Sequence, residues 1–282
     1  MTTSLPAIRR RFVDTSAGAI HIATAGEGLP ILLLHQTPRS WDEFRDVLPL
    51  LGRQYQAIAM DTAGFGDSCT LPLAEHSIER WARIAFEVLD ALDLPRAVVC
   101  GHHTGAVTAL EMAASQPQRV AALVLSSCPM NDALRRAAHA GKRTIDEVEP
   151  RADGAHLGEL WNRRRPFYPD GDIDLMQRFM VDAIKAGEMA AHGHVVVRNY
   201  VMEQRIGEVT SPTLVLKAGS DPHSAPYAER VAAAIAGSTL ATIEQGMVPM
   251  PDQLPQAFSE LILGFLQSHL LDKKKRHPKM AP

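Results

Sequence analysis

Cysteine is scarce in this sequence. The chain of 282 residues has only three, Cys69, Cys100 and Cys128, and their spacing matches no metal-binding motif. An odd number of cysteines without such spacing argues against both a disulfide framework and a zinc site. Because thiols stay reduced in the cytoplasm, the sequence favours a reducing, cytoplasmic location.

Long apolar runs and an excess of one charge are also absent. No run approaches the ~20 residues that a membrane helix needs, and no apolar core follows the basic residues up to Arg11, so we expect no signal peptide. The formal net charge of −3 argues against a nucleic acid or a membrane as the main partner. The expected partner is a small-molecule substrate, and a homodimer is left open.

Short apolar runs alternate with helical patterns along most of the chain. A hairpin is predicted first, from 11–15 and 19–23. The runs that predict the following strands lie at 31–34, 55–60, 97–100, 120–125, 213–217 and 240–243, and those at 31–34, 97–100 and 120–125 are predicted to be buried. This alternation predicts an α/β fold with a doubly wound, mostly parallel sheet.

The alternation stops between residues 128 and 207, where arginine, histidine and aspartate interrupt short helical stretches. This segment is typical of a helical cap (lid) inserted over a sheet. We therefore divide the chain into a core, 1–127 and 208–272, and a cap, 128–207. The basic segment 273–282 is predicted to be a disordered tail.

The central motif of the chain is Gly101-His102-His103-Thr104-Gly105, between a buried strand and an alanine-rich helix. A strand, a tight turn and a helix form the context of a nucleophile elbow, whose central residue is strained and projects above the sheet. Gly101 and Gly105 fit this turn, since larger residues would collide with the crossing strand and helix. The central residue is His103, so the usual nucleophilic serine is missing.

Five loops, this elbow among them, resemble those of the α/β-hydrolase family, and the likeness covers nearly the whole chain. The other four are His35-Gln36-Thr37-Pro38, Asp61 to Ser68, Gly219-Ser220-Asp221 and Gln245 to Pro249. The first of them resembles the H-G-x-P loop of the epoxide-hydrolase and dehalogenase branch, with Gln36 where glycine is usual. The resemblance implies that Asp221 is the acid of the catalytic triad. It also places Met247 where the family has its catalytic histidine.

The two unusual residues can compensate for each other. A histidine at the elbow reaches further than a serine, so its ring can fill the gap between elbow and acid that the family's histidine normally fills. Met247 would leave space for that ring and pack against it. Asp221 would then orient His103 directly, and a water molecule would replace the side-chain nucleophile.

The resemblance also implies a set of oxyanion and substrate-binding residues around His103. The backbone N–H groups of Thr37 and Thr104 match the two oxyanion donors, and the amide of Gln36 is a candidate third donor. His35 is expected to hold its loop, and His102 to pack beside the sheet. We group both histidines, with Met247, among the residues around the substrate.

The expected function is hydrolysis of an ester, a lactone or an activated carbon–carbon bond by water that His103 activates. A cofactor-free lyase, decarboxylase or isomerase stays open, as do direct attack by the imidazole and a non-catalytic binding protein. His35, His102, His103 and His223 lack helical ligand spacing, so neither a metal nor another cofactor is expected. The arginines at 163–165 favour a solvated helix face, with one of them open to binding a substrate carboxylate.

Overall fold

The structure, a computed structural model, describes residues 4–271, and the predicted basic tail at 273–282 lies outside them. Within this part of the chain, eight strands form one sheet in the order β1-β2-β4-β3-β5-β6-β7-β8. The strands are β1 (Arg9–Thr15), β2 (Gly18–Ala25), β3 (Pro30–Leu34), β4 (Gln56–Met60), β5 (Ala97–His102), β6 (Val120–Ser126), β7 (Thr213–Ala218) and β8 (Thr239–Ile243).

Ten α-helices accompany the sheet among the described residues. They are α1 (Leu48–Leu51), α2 (Ile78–Ala91), α3 (Thr104–Ser115), α4 (Ala133–His139), α5 (Ala155–Arg164), α6 (Ile173–Ala186), α7 (Met189–Asn199), α8 (Ala228–Ala233), α9 (Met250–Gln253) and α10 (Pro255–Leu266). None of the helices described has the length and apolar composition needed to cross a bilayer.

Both faces of the sheet are covered, as the continuous apolar runs predict. Leu32 and Leu34 of β3 belong to one buried cluster together with α2 and α3, whereas Ile31 and Leu33 belong to a second cluster with α1 and α10. Successive side chains of a strand point to opposite faces, so the two clusters lie on opposite sides of the sheet. The predicted doubly wound α/β architecture is confirmed.

Strand direction brings the loops of interest to one edge. The pairs β3–β4, β3–β5, β5–β6, β6–β7 and β7–β8 are parallel, while β1–β2 and β2–β4 are antiparallel. His35 follows the carboxyl end of β3 and His103 that of β5, and Asp221 lies three residues beyond the carboxyl end of β7. In open α/β sheets this edge is the usual place for a ligand.

One predicted helix has a different form. The sequence predicts a helix from about Ser40, but the structure has a 3-10 helix at Trp41–Phe44 and then the short α1. Ser40 does cap the first segment, since its hydroxyl accepts a bond from the Asp42 N–H. The interruption follows from Pro49, which lacks the N–H that a continuous helix would need.

The segment between β6 and β7, residues 127–212, holds α4 to α7. We call it the helical insert. It has a small apolar cluster of its own, formed by Leu160, Tyr168, Leu175, Met176, Phe179 and Ala183. The insert includes the predicted cap, and the cap boundaries at 128 and 207 stay a prediction.

Candidate active site

The elbow has the strained geometry that the sequence predicts. His103 stands between β5 and α3 with φ 47° and ψ −109°, a conformation that costs most L-residues free energy. A Cβ on Gly101 would overlap the carbonyl of Gly105, and a Cβ on Gly105 would overlap the carbonyl of Leu34. The two glycines are therefore required by close backbone packing, and they allow His103 its position.

His103 lies against Asp221. Its Nε2 is 2.9 Å from the Asp221 Oδ2, with the aspartate side chain fully buried and the histidine side chain 14% exposed. The distance is that of a hydrogen bond, but the N–H direction falls outside hydrogen-bond geometry, so we describe the pair as a close polar contact. Nε2 is enclosed, which leaves Nδ1 as the ring nitrogen available to a substrate or a water molecule.

The Asp221 carboxylate has further partners in its own loop. The His223 N–H donates to Oδ1 at 2.8 Å, and the Ser224 hydroxyl donates to Oδ2. Burial raises the pKa of Asp221, but His103 and the two hydrogen bonds outweigh it, so the pKa lies well below its ordinary value of 3.8. Asp221 is therefore ionised at neutral pH. The sequence gives no signal for Ser224, because the family motif ends at the aspartate.

The two predicted oxyanion donors, the backbone N–H groups of Thr37 and Thr104, are available to a ligand. Thr37 and Thr104 both line the cavity beside His103. Neither backbone N–H donates to an acceptor among the described residues. The Thr37 hydroxyl oxygen is buried and also lacks a partner within that part of the chain.

Both the amide and the backbone N–H of Gln36 are bound to Glu43. The amide Nε2 donates to the Glu43 Oε1 at 2.6 Å, and the backbone N–H donates to Oε2 at 2.8 Å. The amide is thus bound to a buried carboxyl group, and its expected role as a third oxyanion donor stays a prediction. Gln36 has no positive φ, so its backbone does not need the glycine that the family usually has here.

His35 and His102 lie behind the cavity wall and not on it, because both rings are held by the interior. In His35, Nδ1 contacts the Gln36 carbonyl at 2.8 Å, and Nε2 accepts from the Thr62 N–H at 2.9 Å. The His102 Nε2 lies 2.8 Å from the Val248 carbonyl, and burial together with His103 lowers the His102 pKa to about 3. Both side chains support loops, and their expected place around the substrate is corrected.

Met247 is also absent from the cavity lining, where its neighbour Val248 is found. Met247 is half-buried, and its N–H donates to the Gln253 Oε1 at 2.8 Å. The expected place of Met247 beside the substrate and the His103 ring stays a prediction.

A cavity of about 370 Å³ lies between the core loops and the helical insert. From the core it is lined by Gln36, Thr37, His103, Thr104, His223 and Val248. The insert adds apolar residues and several cations, one of which is Arg164. Arg164 is buried against Asp146, so the prediction of a solvated face fails at this arginine.

One group of side chains outside the cavity has the spacing of a metal site. Ligand atoms of His21, Asp61 and Asp67 lie within 4.8 Å of one another. Arg10 Nε donates to the His21 Nε2 at 3.0 Å, and both Arg10 and Lys185 pair with Asp67. Cations already hold this group, so we assign no metal to it.

Residues 30–246 match the profile of the alpha/beta hydrolase fold. The soluble epoxide hydrolase of Corynebacterium sp. (strain C12) is 37% identical over 94 residues, which are 33% of this chain and 32% of that protein. The proposed carbamate hydrolase RutD of Azorhizobium caulinodans is 26% identical over 85% of this chain and 92% of its own. A solved esterase from Thermogutta terrifontis has TM-score 0.77 at 22% identity, covering 93% of this chain and 99% of that chain.

Proposed function

Because the chain belongs to the α/β-hydrolase fold family, we propose that it is a hydrolase with a histidine as the catalytic residue of its elbow. His103 acts as a general base on water, and Asp221 orients it. The substrate is a small ester, a lactone or a compound with an activated carbon–carbon bond. The relatives named as hydrolases support the reaction class, and the site supports the unusual base.

The contact between His103 and Asp221 carries this proposal. A buried carboxylate 2.9 Å from Nε2 favours the tautomer with its proton on that nitrogen, which leaves the lone pair on Nδ1. Asp221 is ionised and also stabilises the imidazolium that forms when Nδ1 takes up a proton. The ring thus has the charge partner that a general base needs.

In the proposed reaction, a water oxygen attacks the carbonyl carbon of the substrate while Nδ1 accepts the water proton. The carbonyl electron pair moves to oxygen, and the N–H groups of Thr37 and Thr104 stabilise the resulting oxyanion. When the tetrahedral intermediate collapses, the bond to the leaving group breaks. The imidazolium then returns its proton to the leaving alkoxide, so the enzyme ends in its starting state.

The test is a panel of p-nitrophenyl esters, naphthyl esters and lactones. His103→Ala and Asp221→Asn should each lower turnover by roughly 100-fold or more, the usual contribution of a positioned general base. His156→Ala is the matched control, since His156 belongs to the insert but does not line the cavity, and it should leave turnover unchanged. Turnover that survives in His103→Ala would contradict the proposal.

A further inference from the structure

The part of the cavity wall that the insert supplies is basic. Among the residues that the structure describes, five arginine or lysine side chains line the cavity, and no aspartate or glutamate does. They are Arg135, Lys142, Arg143, Arg164 and Arg198. Such a wall favours a negatively charged ligand, provided that carboxylates behind the wall do not neutralise these groups.

Two of the five cations are neutralised by acids of the insert. Arg164 forms a forked pair with Asp146, with 2.6 Å between Nε and Oδ1. Arg143 Nε lies 3.5 Å from the Glu147 Oε1. These two arginines therefore bring no net charge to a ligand.

The charges of Arg135, Lys142 and Arg198 are not matched in this way. Within the part of the chain that the structure describes, no carboxylate oxygen lies within 4.0 Å of the side-chain nitrogens of any of the three, and Asp132 contacts only the backbone N–H of Arg135. Both arginines are half-buried, while Lys142 is exposed at the rim. The insert's side of the cavity therefore carries three cations without a paired carboxylate.

Backbone carbonyls fix the two unmatched arginines in place. Arg135 Nη1 donates to the His223 carbonyl at 3.3 Å, and its guanidinium packs 5.1 Å from the ring centre of Tyr227. Arg198 Nη1 donates to the carbonyls of His139 and Lys142 at 2.6 and 3.1 Å. The Nε and Nη2 groups of both arginines have no acceptor among the described residues, so each retains free donors.

Arg135 is also joined to the reacting centre. Its acceptor, His223, donates its own N–H to Asp221, the partner of His103. A single residue, His223, therefore contacts the Arg135 guanidinium through its carbonyl and the catalytic acid through its N–H. At this end of the cavity, a ligand that reaches His103 has both space and a cation, Arg135, available to it.

We propose that Arg135, Arg198 and Lys142 bind a carboxylate group of the substrate, so that the protein acts on anionic in preference to neutral esters or lactones. Guanidinium groups recognise carboxylates through paired, charge-assisted hydrogen bonds. Hydrolysis at the ester end of this substrate rests on the proposed function. Binding of its carboxylate end does not. The two ends are therefore tested separately.

The kinetic test compares the mono-p-nitrophenyl ester of glutaric acid with the neutral p-nitrophenyl valerate, which has the same chain length. We expect kcat/KM to be about tenfold or more higher for the anion. Arg135→Ala and Arg198→Ala should each remove most of this preference, and Arg135→Lys should keep part of it. Arg151→Ala, which changes an exposed arginine paired with Glu159 outside the cavity, should keep all of it.

The binding test uses glutarate alone, by calorimetry, on the wild type and on His103→Ala, with folding checked by thermal unfolding. Both proteins should bind glutarate, and Arg135→Ala should lose the binding. If glutarate binds through Arg135 but no ester is turned over, the anion site stands and the hydrolytic proposal fails. If both esters are hydrolysed with equal kcat/KM and glutarate does not bind, the anion site is wrong and hydrolysis stands.

Discussion

At the scale of a single residue, His103 combines strain with function. Its φ of 47° and ψ of −109° are unfavourable for any residue with a Cβ, by about 1–3 kcal/mol. The neighbouring glycines and the strand before the elbow hold it there. Part of the stability of the fold is thus used to present the imidazole to the cavity.

Two substitutions of this residue separate the strain from the contacts. His103→Ala and His103→Gly both remove the imidazole, but only glycine relieves the positive φ. At most positions, a protein with glycine is less stable than the same protein with alanine by about 0.4–1 kcal/mol. Here we expect His103→Gly to be the more stable variant by about 1 kcal/mol or more. Urea unfolding of the two variants measures the difference in their free energies of unfolding. If His103→Ala is the more stable variant, the elbow is unstrained.

The ring of His103 fills the place next to Asp221, which suggests a rebuilding experiment. In His103→Ser with Met247→His, the serine supplies a nucleophile and the new histidine has the vacated space beside the acid. Members of a triad act as a unit, so the gain in activity should be strongly non-additive. Only the double variant should hydrolyse p-nitrophenyl acetate with a burst and form an organophosphate adduct in intact-mass measurements.

The single variants are the controls for this experiment. His103→Ser has a nucleophile without a base, and Met247→His crowds two imidazoles against one carboxylate. The wild type should form no adduct on its elbow. Burial raises the pKa of Cys100 far above its usual value, so this thiol should not react either. A folded double variant without burst activity would mean that the Met247 loop cannot bring its new ring to Asp221.

At the scale of elements, an ion-pair cluster joins α6 of the insert to the loop after β3. Arg39, fully buried, lies 2.7 Å from the Asp182 carboxylate and also pairs with Asp252. Arg178 of α6 lies 2.7 Å from both Asp42 and Asp252. Because the cluster is buried, each carboxylate depends on its arginine, and the pairs hold the insert at the edge of the sheet.

Removal of Arg39 should therefore loosen the insert. In Arg39→Met, Asp182 loses its cation and Asp252 keeps only Arg178, which should cost about 3–5 kcal/mol. We expect a lower urea midpoint and faster tryptic cleavage between residues 127 and 212. Arg151→Met, which removes an exposed pair, should cost only about 0–1 kcal/mol. Equal stability of the two variants would show that the cluster does not hold the insert.

At the scale of the whole molecule, buried histidines link stability to pH. Burial lowers the pKa of His102 to about 3 and that of His223 to about 4. Since the unfolded values lie near 6.5, the unfolded state binds more protons below that pH. Stability is therefore lost as the pH falls from 6.5 towards these folded values. Glu43, whose pKa burial raises to about 8, acts in the opposite direction between pH 4.5 and 8.

The variant His102→Gln isolates the contribution of His102 to the pH dependence of the free energy of unfolding. Between pH 6 and 4 the free energy of unfolding of the wild type should fall by up to about 1.4 kcal/mol per pH unit more than that of His102→Gln. His156→Gln should keep the slope of the wild type. Chemical unfolding at each pH gives the slopes, and NMR titration of the His102 ring checks the cause. Protonation of His102 near pH 6.5 in the folded protein would refute this account.

The order of elements was determined by the sequence itself. Backbone preferences and burial periods are local properties, so the apolar runs predicted the strands of the sheet. The spacing of Gly101 and Gly105 predicted the elbow in the same way. The resemblance to the α/β-hydrolase family, visible in five short loops, is confirmed by the profile match over residues 30–246.

The environment of each side chain was decided only by tertiary structure. Gln36 faces Glu43, and Arg164 faces Asp146, because buried carboxylates require donors wherever the fold brings them. Nothing local to either residue shows that partner. Likewise, Arg135 and Arg198 stand 63 positions apart in the sequence, and they meet in one cavity only because α4 and α7 pack against each other within the insert. The basic wall of the cavity is for this reason invisible in a chain whose net charge is −3.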